Sequence, residues 1–408
     1  MNSIKVLENK SIADVPYFKA MGASCGLKGG DKNDLCVVYS EKPCIAAGTF
    51  TTNKVKAAPV LLNMEHIKSE NVYAITANSG NANACTGDDG YKKAYMMAEV
   101  AAKYLNINPE EVLVASTGVI GVPLPIDNVV SGIKKVFSLF PNSSGEEAIK
   151  GIMTTDTIQK KICIEFTLDD KKVTIGAIAK GSGMIHPNMA TMLSFVGTDA
   201  NISKEMLNKA LKESVKDSYN MISVDRDTST NDMVLVLANG TANNKLIDTE
   251  CSDYETFKKA LHYVNVEISK MIAKDGEGAT KLIESKVFGA CSLKNARIAA
   301  KSIITSSLVK AAIFGSDANW GRIICALGYS GADLDPYKID IYFSNADKKI
   351  QTCSKGVSLA FDENTAKEIL DGEKVNIEVN LNDGDFSATA WGCDLTYDYV
   401  KINGSYRS

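Results

Sequence analysis

One stretch near the middle of the chain limits the possible folds more than any other: Lys180-Gly-Ser-Gly-Met-Ile-His-Pro-Asn-Met-Ala-Thr-Met-Leu-Ser-Phe-Val196. A strand-like run, Val173 to Ala179, leads into it, and a second, Met192 to Val196, leads out. Gly181 and Gly183 allow the tight turn that two buried strands joined this closely require. Thr191 stands where the character changes from glycine-rich to apolar. Taken alone, Thr191 reads as an ordinary strand residue and Lys180 as a solvated loop charge.

Other segments repeat the pattern of a strand that ends in small residues. Val72 to Ala77 runs into Asn78-Ser-Gly-Asn-Ala-Asn-Ala-Cys-Thr-Gly87, which the spacing predicts to be a tight loop. Leu35 to Ser40 and Ala46 to Thr52 read as two strands. Glu111 to Gly121 is a buried-looking strand that ends on Ser116-Thr117-Gly118. Strand ends of this kind place backbone N–H groups at a ligand in α/β proteins. Thr117 offers a hydroxyl and Gly118 an unhindered N–H, so the two are candidate donors to an oxyanion. Helical patterns alternate with these runs at Tyr91 to Leu105, Ile126 to Phe140, Ser203 to Met221 and Asn295 to Val309. Ser252-Asp-Tyr-Glu255 has capping-box spacing and opens a long helix to about Lys274. Met233 to Ala238, Thr280 to Val287, Tyr337 to Phe343, Val375 to Leu381 and Phe386 to Trp391 complete the strands. The fold class is α/β.

Composition removes several functions. With 45 basic and 49 acidic residues, net charge −4, the chain lacks the basic balance of a nucleic-acid binder. None of its 10 cysteines has Cys-x-x-Cys spacing, and the 3 histidines are far apart, so no metal is expected. Asp225, Asp227 and Asp232 form a carboxylate cluster of a kind that can bind a metal. Asp317 and Arg322 are expected to form an ion pair near Trp320. The Gly29-Gly30 pair beside Lys28 lacks Walker spacing and reads as a turn. Residues 1–10 carry no signal-peptide pattern, and Val112 to Ile126 is too short and too broken for a membrane helix. A cytoplasmic protein is expected.

The conspicuous segments fall in one order. They are Asn78 to Gly87, Ala115 to Gly121, Met153-Thr-Thr-Asp-Thr157, Lys180 to Leu193 and Ser223-Val-Asp-Arg-Asp-Thr-Ser-Thr-Asn-Asp232. Asp275-Gly-Glu-Gly-Ala-Thr-Lys281, Asp317-Ala-Asn-Trp-Gly-Arg322 and Ile402-Asn-Gly-Ser-Tyr-Arg-Ser408 close the series. Together they resemble the ornithine acetyltransferase family of arginine biosynthesis, also called glutamate N-acetyltransferase ArgJ, from about residue 15 to the last. The chain departs from that family's pattern at Arg226 and at Gly392-Cys393.

The resemblance implies an αββα sandwich with an N-terminal-nucleophile threonine and a smaller C-terminal α/β portion. It implies self-cleavage between Ala190 and Thr191, giving an α chain of 1–190 and a β chain of 191–408 that assemble as α2β2. A freed α-amino group has a reference pKa of about 7.7–8.0, so it can take the proton of its own hydroxyl. The implied reaction moves acetyl from N2-acetylornithine to glutamate through Thr191, with Thr117 and Gly118 as oxyanion hole. Thr154, Lys180, Thr191, Glu277, Asn403 and Ser408 match the substrate-binding positions. No cofactor is implied, and for Asp225, Asp227 and Asp232 the resemblance implies a structural loop instead of a metal site. Acetyl-CoA is a second acetyl donor in bifunctional members, and no residue here decides whether this chain uses it. An N-terminal-nucleophile aminopeptidase or amidohydrolase of the same architecture is the alternative.

Overall fold

The computed structural model describes residues 4–186 and 192–405. Its pivot is Leu35–Phe50, a single strand of 16 residues. The first half pairs with Phe18–Ala23 and Val72–Asn81, and the second with Met233–Ala238. Two separate strands were expected here. The Glu41-Lys42-Pro43 segment between them is exposed, and the pairing register shifts between Tyr39 and Cys44. The strand therefore bends and joins two half-sheets into one sheet of nine strands, eight of them on a continuous path and Phe18–Ala23 paired beside it.

The two half-sheets pack face to face. Cys36, Val38, Ile75 and Leu113 from one meet Ile178, Leu193, Phe195 and Leu235 from the other in a shared core. On the outer face of the first, Val37, Ala74 and Val114 pack on Met97 of helix Gly87–Leu105 and on Ile133 of helix Ile126–Leu139. On the outer face of the second, Ile175, Val234 and Val236 pack with Leu207 of helix Lys204–Lys216 and Val264 of helix Ser252–Lys274. The layers therefore run helix, sheet, sheet, helix. Met233–Ala238 shows how sequence sets this: Met233, Leu235 and Leu237 face the inner core, while Val234, Val236 and Ala238 face the helices. A strand buried on both faces must be apolar at every position. Each Leu or Ile buried in this way contributes about 1.5–3 kcal/mol.

A second sheet of seven strands forms the smaller C-terminal portion. Leu282–Ala290 lies near its centre, parallel to Lys374–Asn380 and antiparallel to Phe386–Cys393. Helix Leu293–Thr305 covers one face, and helix Ser252–Lys274 touches both sheets. Among the described residues no helix is long and apolar enough to cross a membrane.

Local corrections have physical causes. Val72–Asn81 continues into the segment expected as a loop, because parallel pairing with Val112–Val119 carries the strand through Asn78 and Ser79 to an irregularity at Gly80 and Asn81, where Gly80 has φ of 95°. The turn comes later, at left-handed Asn83 and Cys85. The single helix expected over Asn295 to Val309 is two, Leu293–Thr305 and Ser307–Phe314. Ser306 caps the second through its side chain. Cys251, not Ser252, occupies the N-cap of the long helix. Asp317 and Arg322 do not pair: Arg322 Nη1 donates to the Leu308 carbonyl at 2.7 Å, and Asp317 accepts from Asn319 at 3.0 Å.

Candidate active site

The ends of four strands meet at one cavity of about 210 Å3. Val112–Val119 brings Thr117 and Gly118, and Lys171–Lys180 brings its last residue, Lys180. Leu193–Thr198 pairs antiparallel with that strand, Lys180 opposite Leu193, so Met192 and Leu193 also line the cavity. Asp232, just before Met233–Ala238, Thr154, Glu277 and Asn403 complete the wall. Six of the residues singled out from sequence thus converge: Thr117, Gly118, Thr154, Lys180, Glu277 and Asn403. Ala190, Thr191 and Ser408 lie outside the described residues.

Gly118 has φ of 134°, and a Cβ there would lie 2.4 Å from the Gly80 carbonyl carbon and 2.5 Å from the Asn81 nitrogen. Only glycine allows the neighbouring strand this close. Lys180 is 8% exposed, and its Nζ donates to Thr117 Oγ1 at 3.3 Å. Burial lowers the Lys180 pKa, and the carboxylate of Asp156 opposes that fall. At the other end, Asn403, on helix Tyr397–Ser405, donates to Glu277 Oε2 at 2.8 Å.

Beneath the wall lies an ionic cluster that sequence reading missed. Lys160 Nζ donates to Asp156 Oδ1 at 2.7 Å and to Asp275 Oδ2 at 2.5 Å, and the lysine and Asp156 side chains are fully buried. Asp156 also accepts from the backbone N–H groups of Gly181 at 2.7 Å and Thr154 at 3.0 Å. Ser182 Oγ donates to the Asp275 carbonyl at 2.6 Å, and Glu277 N–H donates to the Ser182 carbonyl at 3.1 Å. One cluster therefore fixes the backbone around Thr154, Lys180 and Glu277. Burial alone would raise the Asp156 pKa; Lys180 and Lys160 outweigh it and hold the value at about 2. The usable signal was the i,i+4 spacing of Asp156 and Lys160.

Asp225 accepts from Met184 N–H at 2.6 Å and Ile185 N–H at 2.8 Å, as a structural loop residue would. Among the described residues, no three His, Cys, Asp or Glu side chains are grouped to hold a metal. Asp232 is separate: it is 3% exposed, and its Oδ2 has no hydrogen-bond partner.

A hydroxyl held by a buried ammonium next to a glycine, in a cavity where strand ends of an αββα body meet, suits an enzyme that stabilises an oxyanion, as acyl transfer requires. Comparison with known proteins agrees. The chain matches the ArgJ family over residues 19–408. It is 77% identical over 408 residues to the arginine biosynthesis bifunctional protein ArgJ 1 of Clostridium acetobutylicum, covering 100% of both chains. It is 53% identical to the ArgJ bifunctional protein of Caldanaerobacter subterraneus subsp. tengcongensis, covering 96% of this chain and 97% of that one. A solved chain of ArgJ from Bacillus halodurans is 49% identical, with a TM-score of 0.51; the match covers 53% of this chain and 100% of that one. The chain belongs to the ArgJ family and is an acyltransferase of arginine biosynthesis.

Proposed function

We propose that the chain cleaves itself between Ala190 and Thr191, and that Thr191 then carries acetyl from N2-acetylornithine to glutamate. The observation that carries this reading is the convergence of Thr117, Gly118, Lys180, Glu277 and Asn403 on a cavity whose wall includes Met192, the residue after Thr191. The Thr191 hydroxyl first attacks the Ala190 carbonyl, and the resulting ester hydrolyses. In turnover the same hydroxyl attacks the acetyl carbonyl. Thr117 O–H and Gly118 N–H hold the oxyanion, and removing one such donor costs about 3–4 kcal/mol of barrier. The free α-amino group takes the hydroxyl proton and passes it to the departing amine. Lys180 suits a substrate carboxylate, and Glu277, oriented by Asn403, suits an ammonium group. Thr154 and Ser408 complete the substrate site.

The solved Bacillus halodurans chain supports the split, since its whole length matches only 53% of this chain. The portion from Thr191 onward is about that share. The two pieces are proposed to assemble as α2β2 in the cytoplasm, with no cofactor. The curated relatives are named bifunctional, which supports acetyl-CoA as a second donor to glutamate. The test is an assay with N2-acetylornithine and glutamate together. Glutamate-dependent N-acetylglutamate formation supports the reading; acetate release with no acetylglutamate would replace it with an amidohydrolase.

A further inference from the structure

Asp232 is a carboxylate in the cavity wall that the proposed mechanism leaves unused. It is almost wholly buried, it lines the cavity, and its Oδ2 has no partner. Buried acceptors are normally satisfied, because an empty one is destabilising. Of the described buried side-chain atoms in this condition, it is the only carboxylate oxygen and the only one in the cavity wall. The residue is rigidly held. Its carbonyl accepts from Thr51 N–H at 3.0 Å, and the next residue, Met233, donates its N–H to the Met192 carbonyl at 2.9 Å. Asn231 Nδ2 anchors the preceding turn to the carbonyls of Ala82 at 2.6 Å and Ser116 at 2.8 Å. An unpartnered acceptor on an anchored backbone, in the same cavity as Thr117 and Gly118, suits an N–H donor bound there.

Transfer between two amino acids poses a proton problem. Ornithine leaves as an amine and becomes an ammonium ion; glutamate arrives as an ammonium ion and must become an amine. We infer that Asp232 holds the proton exchanged between these two amines, giving it to ornithine and taking it back from glutamate. This rests on the acetyl-Thr191 reading above. In the first half-reaction, the Thr191 oxygen bonds to the acetyl carbon, the C–N bond of acetylornithine breaks, and the hydroxyl proton reaches the departing nitrogen. Asp232 then protonates the free amine and becomes a carboxylate. In the second, this carboxylate deprotonates the glutamate ammonium group, whose nitrogen attacks the ester. The C–O bond breaks, the second nitrogen proton returns to the Thr191 oxygen, and Asp232 ends as the acid it began.

Burial raises the Asp232 pKa well above the usual carboxylate range, with Ser229 and Lys180 opposing, which suits an acid in the resting enzyme. The charged group facing it is Lys180. Glu277 lines the same cavity, and the flanking strands offer Thr51 and Met192 beside it, neither of which titrates.

Asp232→Asn keeps the shape and removes the proton exchange. The acetyl-enzyme formed from N2-acetylornithine is isolated and mixed with glutamate, or with hydroxylamine, which is already neutral at pH 7. The expected loss with glutamate at pH 7 is about 10²–10⁴-fold, recovering as pH rises and free amine accumulates, with a far smaller loss for hydroxylamine. Equal losses for both acceptors at every pH, or no loss, would overturn the inference. If the variant fails to mature, the wild-type enzyme decides. Mixed rapidly with N2-acetylornithine in weakly buffered indicator solution at pH 7, it should show no proton uptake in step with the acetylation burst, any uptake lagging behind it as the Asp232 carboxylate regains its proton. Uptake of one proton per site at the rate of acetylation would overturn the inference. Failure of the wild type to form any acetyl-enzyme would instead sink the acetyl-Thr191 reading itself.

Discussion

Lys180 Nζ lies 3.3 Å from Thr117 Oγ1 and donates to it. The Thr117 hydroxyl therefore accepts from an ammonium group and keeps its own hydrogen for a ligand. A hydroxyl polarised in this way is a stronger donor than an isolated one.

Thr117→Val should remove the donor and preserve the shape. In cleaved enzyme, kcat should fall by about 10²–10³-fold, with little change in KM for N2-acetylornithine. Steady-state kinetics checks this. A rise in KM at constant kcat would make Thr117 a ground-state ligand only.

The Asp156 cluster predicts the acid limb of stability. Its folded pKa of about 2 lies below the ordinary aspartate value of about 3.9. A depressed carboxyl contributes fully above the unfolded value and loses that contribution as pH falls through the folded one. About 2 kcal/mol should therefore disappear between roughly pH 4 and pH 2. Denaturant titrations across that window should show a shallower pH slope for Asp156→Asn than for wild type.

The C-terminal helix is seated on Gly278, whose φ is 69° and where a Cβ would lie 2.6 Å from the Tyr399 nitrogen. Gly278→Ala should lift that helix and with it the Asn403 contact to Glu277. Losing a hydrogen bond to a charged group, about 1.5–3 kcal/mol, corresponds to KM rising roughly 10- to 100-fold. Substrate kinetics with unchanged self-cleavage would confirm it; an unchanged KM would contradict it.

Much of this arrangement was legible in the sequence because it depends on local pattern. Met233–Ala238 has the bounds that its unbroken apolar run suggests, and Val112–Val119 begins with its apolar run, although it continues through Ser116, Thr117 and Gly118 where an end was expected. Thr117, Gly118, Lys180 and Glu277 sit in short segments whose order identified the family. What escaped was set by distant contacts. Lys160 meets Asp275 across 115 positions, which no local pattern encodes. The bend in Leu35–Phe50 looked like a loop because its exposed Glu41, Lys42 and Pro43 are poor strand residues, yet long-range pairing on both sides keeps the strand continuous. Asp232 was grouped with Asp225 and Asp227 by proximity in the chain, whereas burial gives it a different environment.

Arg226 adopts φ of 72° at an exposed position. A non-glycine residue in that region costs roughly 1–2 kcal/mol, against about 0.5–1 kcal/mol of extra chain entropy for glycine. Arg226→Gly should therefore raise stability by under about 1 kcal/mol, read as a small increase in the urea midpoint. A lower midpoint would show that the arginine side chain contributes more than its backbone strain removes.

In the proposed function Thr191 becomes an N-terminal nucleophile that carries acetyl. The most direct measurement is intact-mass analysis of the purified protein before and after mixing with N2-acetylornithine in the absence of glutamate. Two polypeptides are expected, 1–190 and 191–408, with the mass of a single acetyl group appearing on the second and leaving when glutamate is added. An unsplit chain of 43.8 kDa, or a split one that never carries acetyl on that fragment, would contradict it.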